Sequence, residues 1–156
     1  MSEMEMLKTG DAAPDFSTID CRGEAISLSQ FRGKKKVVLF FFPRAFTPYC
    51  TEEVRYFQEH YARITAAGAE LIGVSVDKHE RNCEFAKSEN LEFRLLGDES
   101  HAISEKYGVL WPQLRIDRRA TFFIGLDGVI EGVLHHETEV SRHLDDVLSR
   151  LGVKAA

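Results

Sequence analysis

Apolar and polar positions along the chain follow two patterns, one typical of buried strands and one typical of amphipathic helices. Residues 37–42 are all apolar, as in a strand that is covered on both faces of a sheet, and Pro43 ends this run. From about residue 51 to 67, apolar residues recur at helical spacing. A second strand over residues 71–76 and a second helix over about 79–89 repeat the same order. This alternation predicts an α/β fold.

The remaining segments complete the predicted sheet. An Asp-Gly pair at 127–128 joins two strand-like runs, which is a strong hairpin signal. Turn residues between two short N-terminal runs predict another small hairpin. The predicted strands of these hairpins cover residues 15–20, 25–28, 121–126 and 129–134, and a further strand and two helices are expected at 93–96, 101–107 and 139–151. We therefore expect an α/β sandwich with a mixed sheet.

Length and charge limit the possible classes of function. A chain of 156 residues is long enough for one ordinary domain and too short for two, so residues 1–156 are interpreted as a single domain. The net charge is -5, and the longest basic run is three lysines at 34–36, so no nucleic-acid partner is expected. No apolar run is long enough to cross a bilayer, and the N-terminus lacks the features of a secretory signal. These features predict a cytoplasmic protein without a membrane partner.

The three cysteines, Cys21, Cys50 and Cys83, are an odd number at wide spacing. This is unlike the disulfide framework of a small secreted protein, so we expect any disulfide to be transient and chemical. Cys21 lies in the turn of the N-terminal hairpin and is interpreted as incidental. Cys83 and His79 share one face of the second predicted helix, but two ligands are too few for a zinc site, and no metal or cofactor is expected.

Cys50 stands at the predicted start of the first helix, where unpaired backbone N–H groups and the helix dipole favour a thiolate. Pro43 and Pro48 stiffen the loop before it, and Thr47 offers a hydroxyl that both donates and accepts hydrogen bonds. A lone cysteine is most often an inert small apolar residue. Cys50, however, lies outside the apolar stripe of its helix and at the helix terminus. The residues alone favour a reactive thiol.

Residues 43–50, PRAFTPYC, lie between a buried strand and a helix and match the pattern P-x-x-x-T-x-x-C. In this the sequence resembles the peroxiredoxin family, whose active site carries that pattern. Residues 10–16, GDAAPDF, look like its N-terminal segment G-x-x-A-P-x-F, and residues 119–124, RATFFI, look like its late R-x-T-F-x-I strand entry. The resemblance extends from about residue 10 to 151 and is closest to the bacterioferritin comigratory, or Q-type, subfamily.

The resemblance implies a thioredoxin-like fold in the peroxiredoxin variant and the reduction of hydrogen peroxide and organic hydroperoxides. Cys50 would be the peroxidatic cysteine, which peroxide oxidises to a sulfenic acid. Thr47 would hydrogen-bond the peroxide, and Pro43 would shield the sulfur. Arg119 would stabilise the thiolate and the charge that develops as the O–O bond breaks, and Glu53 would orient Arg119. The neighbouring Arg118 is interpreted as a solvent-facing charge.

One departure from the subfamily concerns the resolving cysteine. Many Q-type members carry it five residues after the peroxidatic one, where this chain has Arg55. Other members place it on the following helix, which makes Cys83 the best candidate. A bond between Cys50 and Cys83 needs Cα atoms within about 7 Å, so the first turn of the Cys50 helix would have to unwind. The alternative is that Cys83 packs without reacting, in a one-Cys enzyme that an external thiol resolves.

The leading hypothesis is therefore a thiol peroxidase that thioredoxin or a low-molecular-weight thiol recycles, as a monomer or a homodimer. A thiol-disulfide oxidoreductase on the same fold is less favoured because the chain has no C-x-x-C pair. A peroxide sensor or redox relay, which would pass oxidation from Cys50 to a protein partner, begins with the same step and stays open. The sequence leaves the preferred peroxide and the physiological reductant undetermined.

Overall fold

A computed structural model describes residues 5–111 and 113–152 of the chain. The strands and helices follow the predicted order closely. Within these ranges the strands are β1 (Ser17–Ile19), β2 (Ala25–Ser27), β3 (Lys36–Phe41), β4 (Ala69–Ser75), β5 (Arg94–Gly97), β6 (Ala120–Ile124) and β7 (Ile130–His135). The α-helices there are α1 (Pro48–Glu59), α2 (Tyr61–Ala66), α3 (His79–Ser88), α4 (Ala102–Tyr107) and α5 (Ser141–Arg150), and a 3-10 turn covers Leu28–Phe31.

Strands β3 to β7 form one mixed sheet in the spatial order β5-β4-β3-β6-β7. Strands β3, β4 and β5 run parallel, whereas β6 pairs antiparallel with both β3 and β7. Strands β1 and β2 pair as a separate antiparallel hairpin. The mixed sheet and the N-terminal hairpin confirm the predicted fold class. None of the helices in the described ranges is long and apolar enough to cross a bilayer.

The central strand β3 divides the apolar core into two halves, because successive side chains of a strand point to opposite faces. Leu39 and Phe41 pack on one face, with Tyr107 and Phe122. Phe40 and the residue after the strand, Phe42, pack on the other face, in the same apolar cluster as Cys50. Cys50, which belongs to α1, therefore packs against the apolar core on this face of the sheet. The other members of its cluster include Val54, Phe57, Phe85 and Leu144.

The predicted helix over residues 51–67 is wrong in two details. The helix begins three residues earlier, at Pro48, whose missing N–H and fixed φ suit the first helical position. It also breaks at His60, whose φ of -111° separates α1 from α2. The ring of His60 contacts the carbonyl oxygen of Tyr56 at 3.1 Å, and its backbone N–H turns to Phe57 instead. Cys50 is consequently in the first turn of α1 rather than before it.

Asp77 precedes α3 but does not cap it, and its side chain instead joins the loop after β3 to the end of β4. Its carboxylate accepts hydrogen bonds from the backbone N–H of Ala45, at 2.8 Å, and from the hydroxyl of Ser75, at 2.7 Å. Lys78 occupies the N-cap position of α3, without a side-chain hydrogen bond to the helix. The loop that precedes Cys50 is thereby anchored to the end of β4.

Candidate active site

The loop between β3 and α1 presents Cys50 at the start of a helix. Thr47 has an extended backbone at the N-cap position, with φ of -86° and ψ of 156°. Its hydroxyl donates to the carbonyl oxygen of Arg44 at 2.7 Å and makes no capping bond to the helix. Pro43 is half-buried at the opposite end of the loop. One short segment thus carries Pro43, Thr47 and Cys50.

Phe46 adopts a left-handed backbone with φ of 66°, which is rare for a residue with a large side chain. Its ring packs 5.0 Å from the ring of Phe85 on α3, and the guanidinium of Arg81 lies 4.9 Å above it. These contacts hold the loop in its conformation and join it to α3. The surface beside the loop carries a cavity of about 400 Å³, lined by Phe46, Pro48, Thr51, Glu52, Arg55 and Tyr56.

Arg119 brings its guanidinium directly to the sulfur of Cys50. Nη2 donates to Sγ at 3.3 Å, Nη1 donates to Oε1 of Glu53 at 2.6 Å, and Nε donates to the carbonyl oxygen of Glu137 at 2.8 Å. All three side chains of this contact are buried, with Cys50 0%, Glu53 1% and Arg119 2% exposed. A cation with three partners is fixed in position, so its charge is held beside the sulfur.

Burial and charge act in opposite directions on Glu53. Burial raises the pKa of the Glu53 carboxyl to about 7, although the nearby guanidinium of Arg119 favours the ionised form. Burial also acts to lower the pKa of Arg119, but Glu53 and Cys50 outweigh it, and the pKa of Arg119 is raised. Arg119 therefore stays charged, and Glu53 is the member of the pair whose protonation changes near neutral pH.

His143 is a buried neighbour of this site that the sequence prediction missed. Its Nδ1 lies 2.7 Å from the Thr121 hydroxyl and 3.9 Å from Oε2 of Glu53, and its Nε2 lies 2.9 Å from the carbonyl oxygen of His136. A carbonyl only accepts, so Nε2 carries the proton and Nδ1 accepts from Thr121. Burial lowers the pKa of His143 to about 4. The position of this histidine on the apolar stripe of α5 was the available signal.

Neutral His143 predicts a dependence of stability on pH. Its pKa is about 4 in the folded chain and 6.5 ordinarily, so the unfolded chain binds more protons between these pH values. The contribution is complete above pH 6.5 and is lost as the pH falls through 4. We expect the free energy of unfolding to lose about 3 kcal/mol from this group over that range. Urea unfolding at a series of pH values measures it.

The control for this prediction is the variant His143→Gln. The Gln amide can donate to the His136 carbonyl and accept from Thr121, as the neutral ring of His143 does, but it does not titrate. Glu53 has a raised pKa and changes stability in the opposite direction over the same range, but it does so in both proteins. The difference between the two curves therefore isolates His143. Parallel curves for the wild type and the variant would contradict the prediction.

The structure changes the interpretation of the other two cysteines. Cys21 and Cys83 form a disulfide, with Cα atoms 5.4 Å apart, while Cys50 is a free thiol. The interpretation of Cys21 as incidental is therefore wrong, and Cys83 is not free to react in this state. Phe85 packs against Phe42, near Cys50, and side chains two residues apart on a helix point to different sides. Cys83 thus faces away from Cys50, toward the N-terminal hairpin.

The structure also places Arg118, which was predicted to face solvent, and His135. Arg118 is half-buried rather than solvent-facing, and its guanidinium lies 4.1 Å from the centre of the Trp111 ring. The contact is a cation–π interaction, which sequence spacing alone does not reveal. His135 contacts the carboxylate of Glu137. Within the described ranges, no group of three or more His, Cys, Asp or Glu side chains is arranged to hold a metal ion.

Comparisons with known proteins support the family resemblance of the sequence. The model of the AhpC/TSA family matches residues 9–133. Peroxiredoxin Bcp of Escherichia coli K12 is 37% identical over 154 residues, which cover 95% of this chain and 97% of that protein. The chloroplastic peroxiredoxin Q of Sedum lineare is 34% identical over 143 residues, 91% of this chain and 76% of that protein.

Among solved structures, peroxidoxin BcpB from Mycobacterium tuberculosis superimposes with a TM-score of 0.87 at 31% identity. The match covers 95% of this chain and 97% of that one. The likeness confirms the predicted thioredoxin-like fold. The chain belongs to the AhpC/TSA family, among the peroxiredoxins of the bacterioferritin comigratory, Q-type group.

Proposed function

We propose that the chain is a peroxidase that reduces hydrogen peroxide and organic hydroperoxides, with Cys50 as the peroxidatic thiol. The observation that carries the proposal is the contact of 3.3 Å between Nη2 of Arg119 and Sγ of Cys50 in the first turn of α1. A buried cation and a helix N-terminus together stabilise a thiolate, which is the attacking form. The family membership supports the same activity.

The first step is attack of the Cys50 thiolate on the terminal oxygen of the peroxide. An S–O bond forms, the O–O bond breaks, and the departing oxygen takes up a proton to leave as water or an alcohol. Cys50 becomes a sulfenic acid, two electrons more oxidised than the thiol. Arg119 lies next to Sγ, where it stabilises the negative charge that moves from sulfur to the leaving oxygen. Glu53 holds Arg119 in this orientation.

Thr47 and Pro43 position the substrate in this proposal. The Thr47 hydroxyl already donates its proton to the carbonyl oxygen of Arg44, so its oxygen is free to accept a hydrogen bond from the O–H of a peroxide. Unpaired N–H groups of the first helical turn supply donors for the peroxide oxygens. Pro43 has no N–H group, and its apolar ring is proposed to shield the sulfur of Cys50.

Turnover requires reduction of the sulfenic acid by a thiol, for which a thioredoxin-like protein or a low-molecular-weight thiol is proposed. Cys50 is buried, so its helix turn has to open before any thiol reaches it. Cys50, Arg119 and Glu53 come from one chain, and the site is complete in either a monomer or a homodimer. A cytoplasmic location is proposed because thiols are kept reduced there.

The proposal is tested with a chain whose only cysteine is Cys50, the double variant Cys21→Ser, Cys83→Ser. One equivalent of hydrogen peroxide should convert Cys50 to a sulfenic acid, since no other thiol is present to resolve it. A 1,3-dione label specific for sulfenic acids, followed by peptide mass spectrometry, detects the product. The triple variant that also carries Cys50→Ser is the control. An unlabelled Cys50 whose thiol count is unchanged after peroxide would overturn the proposal.

A further inference from the structure

The disulfide between Cys21 and Cys83 connects two parts of the fold that are distant in sequence. It ties the turn of the N-terminal hairpin to the middle of α3, across the edge strand β5. Cys21 is exposed, and its Sγ lies 3.7 Å from the carbonyl oxygen of Leu95 on that strand. Cys83 is half-buried, and its Sγ lies 3.6 Å from Nε2 of His79, one turn earlier on α3.

The three cysteines differ in accessibility. Cys50 is fully buried, so a thiol on another protein has no direct path to its sulfur. Cys21, in contrast, is an exposed residue, and access is one of the factors that set the rate of thiol–disulfide exchange. The surface disulfide is therefore better placed for reduction by a protein than the site that reacts with peroxide.

Helix α3 also makes direct contact with the loop and helix that hold Cys50. Phe85 packs on Phe46, at a distance of 5.0 Å between ring centres. Arg55 on α1 pairs with Glu89, the residue that follows α3. Any displacement of α3 that delivers Cys83 toward Cys50 therefore also loosens the surroundings of Cys50. Both movements belong to the same local opening.

Taking Cys50 as the peroxidatic thiol, as proposed above, we propose that Cys83 and Cys21 act in sequence as an internal relay that carries the oxidation from Cys50 to the surface. In the first step, the Cys83 thiolate attacks Sγ of the Cys50 sulfenic acid. A disulfide forms, the S–O bond breaks, and the hydroxide leaves as water after taking up a proton. In the second step, the Cys21 thiolate attacks Sγ of Cys83, and Cys50 leaves as a thiolate.

The overall change balances in atoms and electrons. One peroxide and the two thiols of Cys21 and Cys83 give one alcohol or water from the peroxide, one further water and the Cys21–Cys83 disulfide. Sγ of Cys50 lies 3.3 Å from Nη2 of Arg119 in the folded site, so a cation stands beside the sulfur that leaves in the second step. The structure has a free Cys50 thiol and a disulfide between Cys21 and Cys83, which is the state that this relay produces.

Reduction then takes place at the surface disulfide. A thiolate of a dithiol reductant attacks Sγ of the exposed residue Cys21, and Cys83 leaves as a thiolate. Nε2 of His79 lies 3.6 Å from Sγ of Cys83, where it is positioned to donate a proton to the departing thiolate. The second thiol of the reductant closes its own disulfide and releases Cys21. The reductant never needs to enter the buried site.

The number of peroxides consumed by the fully reduced chain tests the relay. In the wild type, the first equivalent produces the Cys21–Cys83 disulfide and regenerates Cys50, which then reacts with a second equivalent. We expect a rapid phase of about two peroxides per chain, without added reductant. In Cys21→Ser, oxidation stops at a disulfide between Cys50 and Cys83, so the rapid phase should consume about one.

Peptide mass spectrometry after one equivalent of peroxide identifies the bonds. The relay predicts a Cys21–Cys83 link in the wild type and a Cys50–Cys83 link in Cys21→Ser. The variant Cys50→Ser is the matched control, and it should form the Cys21–Cys83 link far more slowly than the wild type. Equal rates in these two proteins would overturn the relay, as would a sulfenic Cys50 without any link in Cys21→Ser. The single-cysteine chain tests the peroxidase activity separately, so the two proposals fail independently.

Discussion

Replacement of Cys50 by serine is expected to lower kcat/KM for hydrogen peroxide by about four orders of magnitude or more, which is the scale of loss when an enzyme loses its nucleophile. A serine hydroxyl is not ionised near neutral pH, and Arg119 at 3.3 Å from the sulfur position cannot make it so. Peroxide consumption, with a dithiol reductant in excess, measures the change. The variant should fold normally because the serine oxygen can accept the hydrogen bond that Nη2 of Arg119 donates to the sulfur.

Thr51→Ser is a suitable control for this substitution. It changes the next residue of the same helical turn, it alters the side chain by one methyl group, and Thr51 has no role in the proposed chemistry. The control should retain a kcat/KM close to that of the wild type. A Cys50→Ser chain that kept its activity to within tenfold would show that another group attacks the peroxide, and the proposed function would be wrong.

Much of the fold could be predicted because its elements are encoded by local patterns. The apolar run before Pro43 became the central strand of the sheet, and the Asp-Gly pair at 127–128 lies between β6 and β7. The break at His60 was not predictable from periodicity, because the apolar positions continue in phase across it. The role of Asp77 also escaped prediction, since its partner Ala45 lies 32 residues away and is joined only by folding.

In the candidate site, too, some residues can be found from the local sequence and others are brought together only by folding. Thr47 and Cys50 belong to one short motif, and Glu53 follows Cys50 by three residues, so local sequence is enough to find all three. Arg119 was identified by resemblance, and the sheet explains its place: Ala120 pairs with Phe41 at the end of β3, which brings the preceding residue beside the loop that holds Cys50. The pairing of Cys21 with Cys83 spans 62 residues, and nothing in the local sequence of either cysteine indicates the other.

Replacement of Arg119 by methionine is expected to have the second largest effect. It removes the donor that faces Cys50 and leaves Glu53 buried without its cation. Loss of one preorganised donor at a reacting atom lowers rates by about 100- to 1,000-fold, and we expect kcat/KM for hydrogen peroxide to fall by that amount. At a pH where Glu53 is ionised, removing one partner of this buried ion pair should also cost about 3–5 kcal/mol of stability; at lower pH the carboxyl takes up a proton and the cost is smaller. Stopped-flow peroxide kinetics and urea unfolding measure the two effects.

A second substitution separates the catalytic effect from the structural one. Glu53 accepts a hydrogen bond of 2.6 Å from Arg119, and its other oxygen, Oε2, has no hydrogen-bond partner. In the double variant Arg119→Met, Glu53→Gln, the side chain at position 53 is neutral, so much of the lost stability should return. The rate should stay low, because the charge beside Cys50 is still missing. Recovery of kcat/KM together with stability would instead mean that Arg119 only supports the fold.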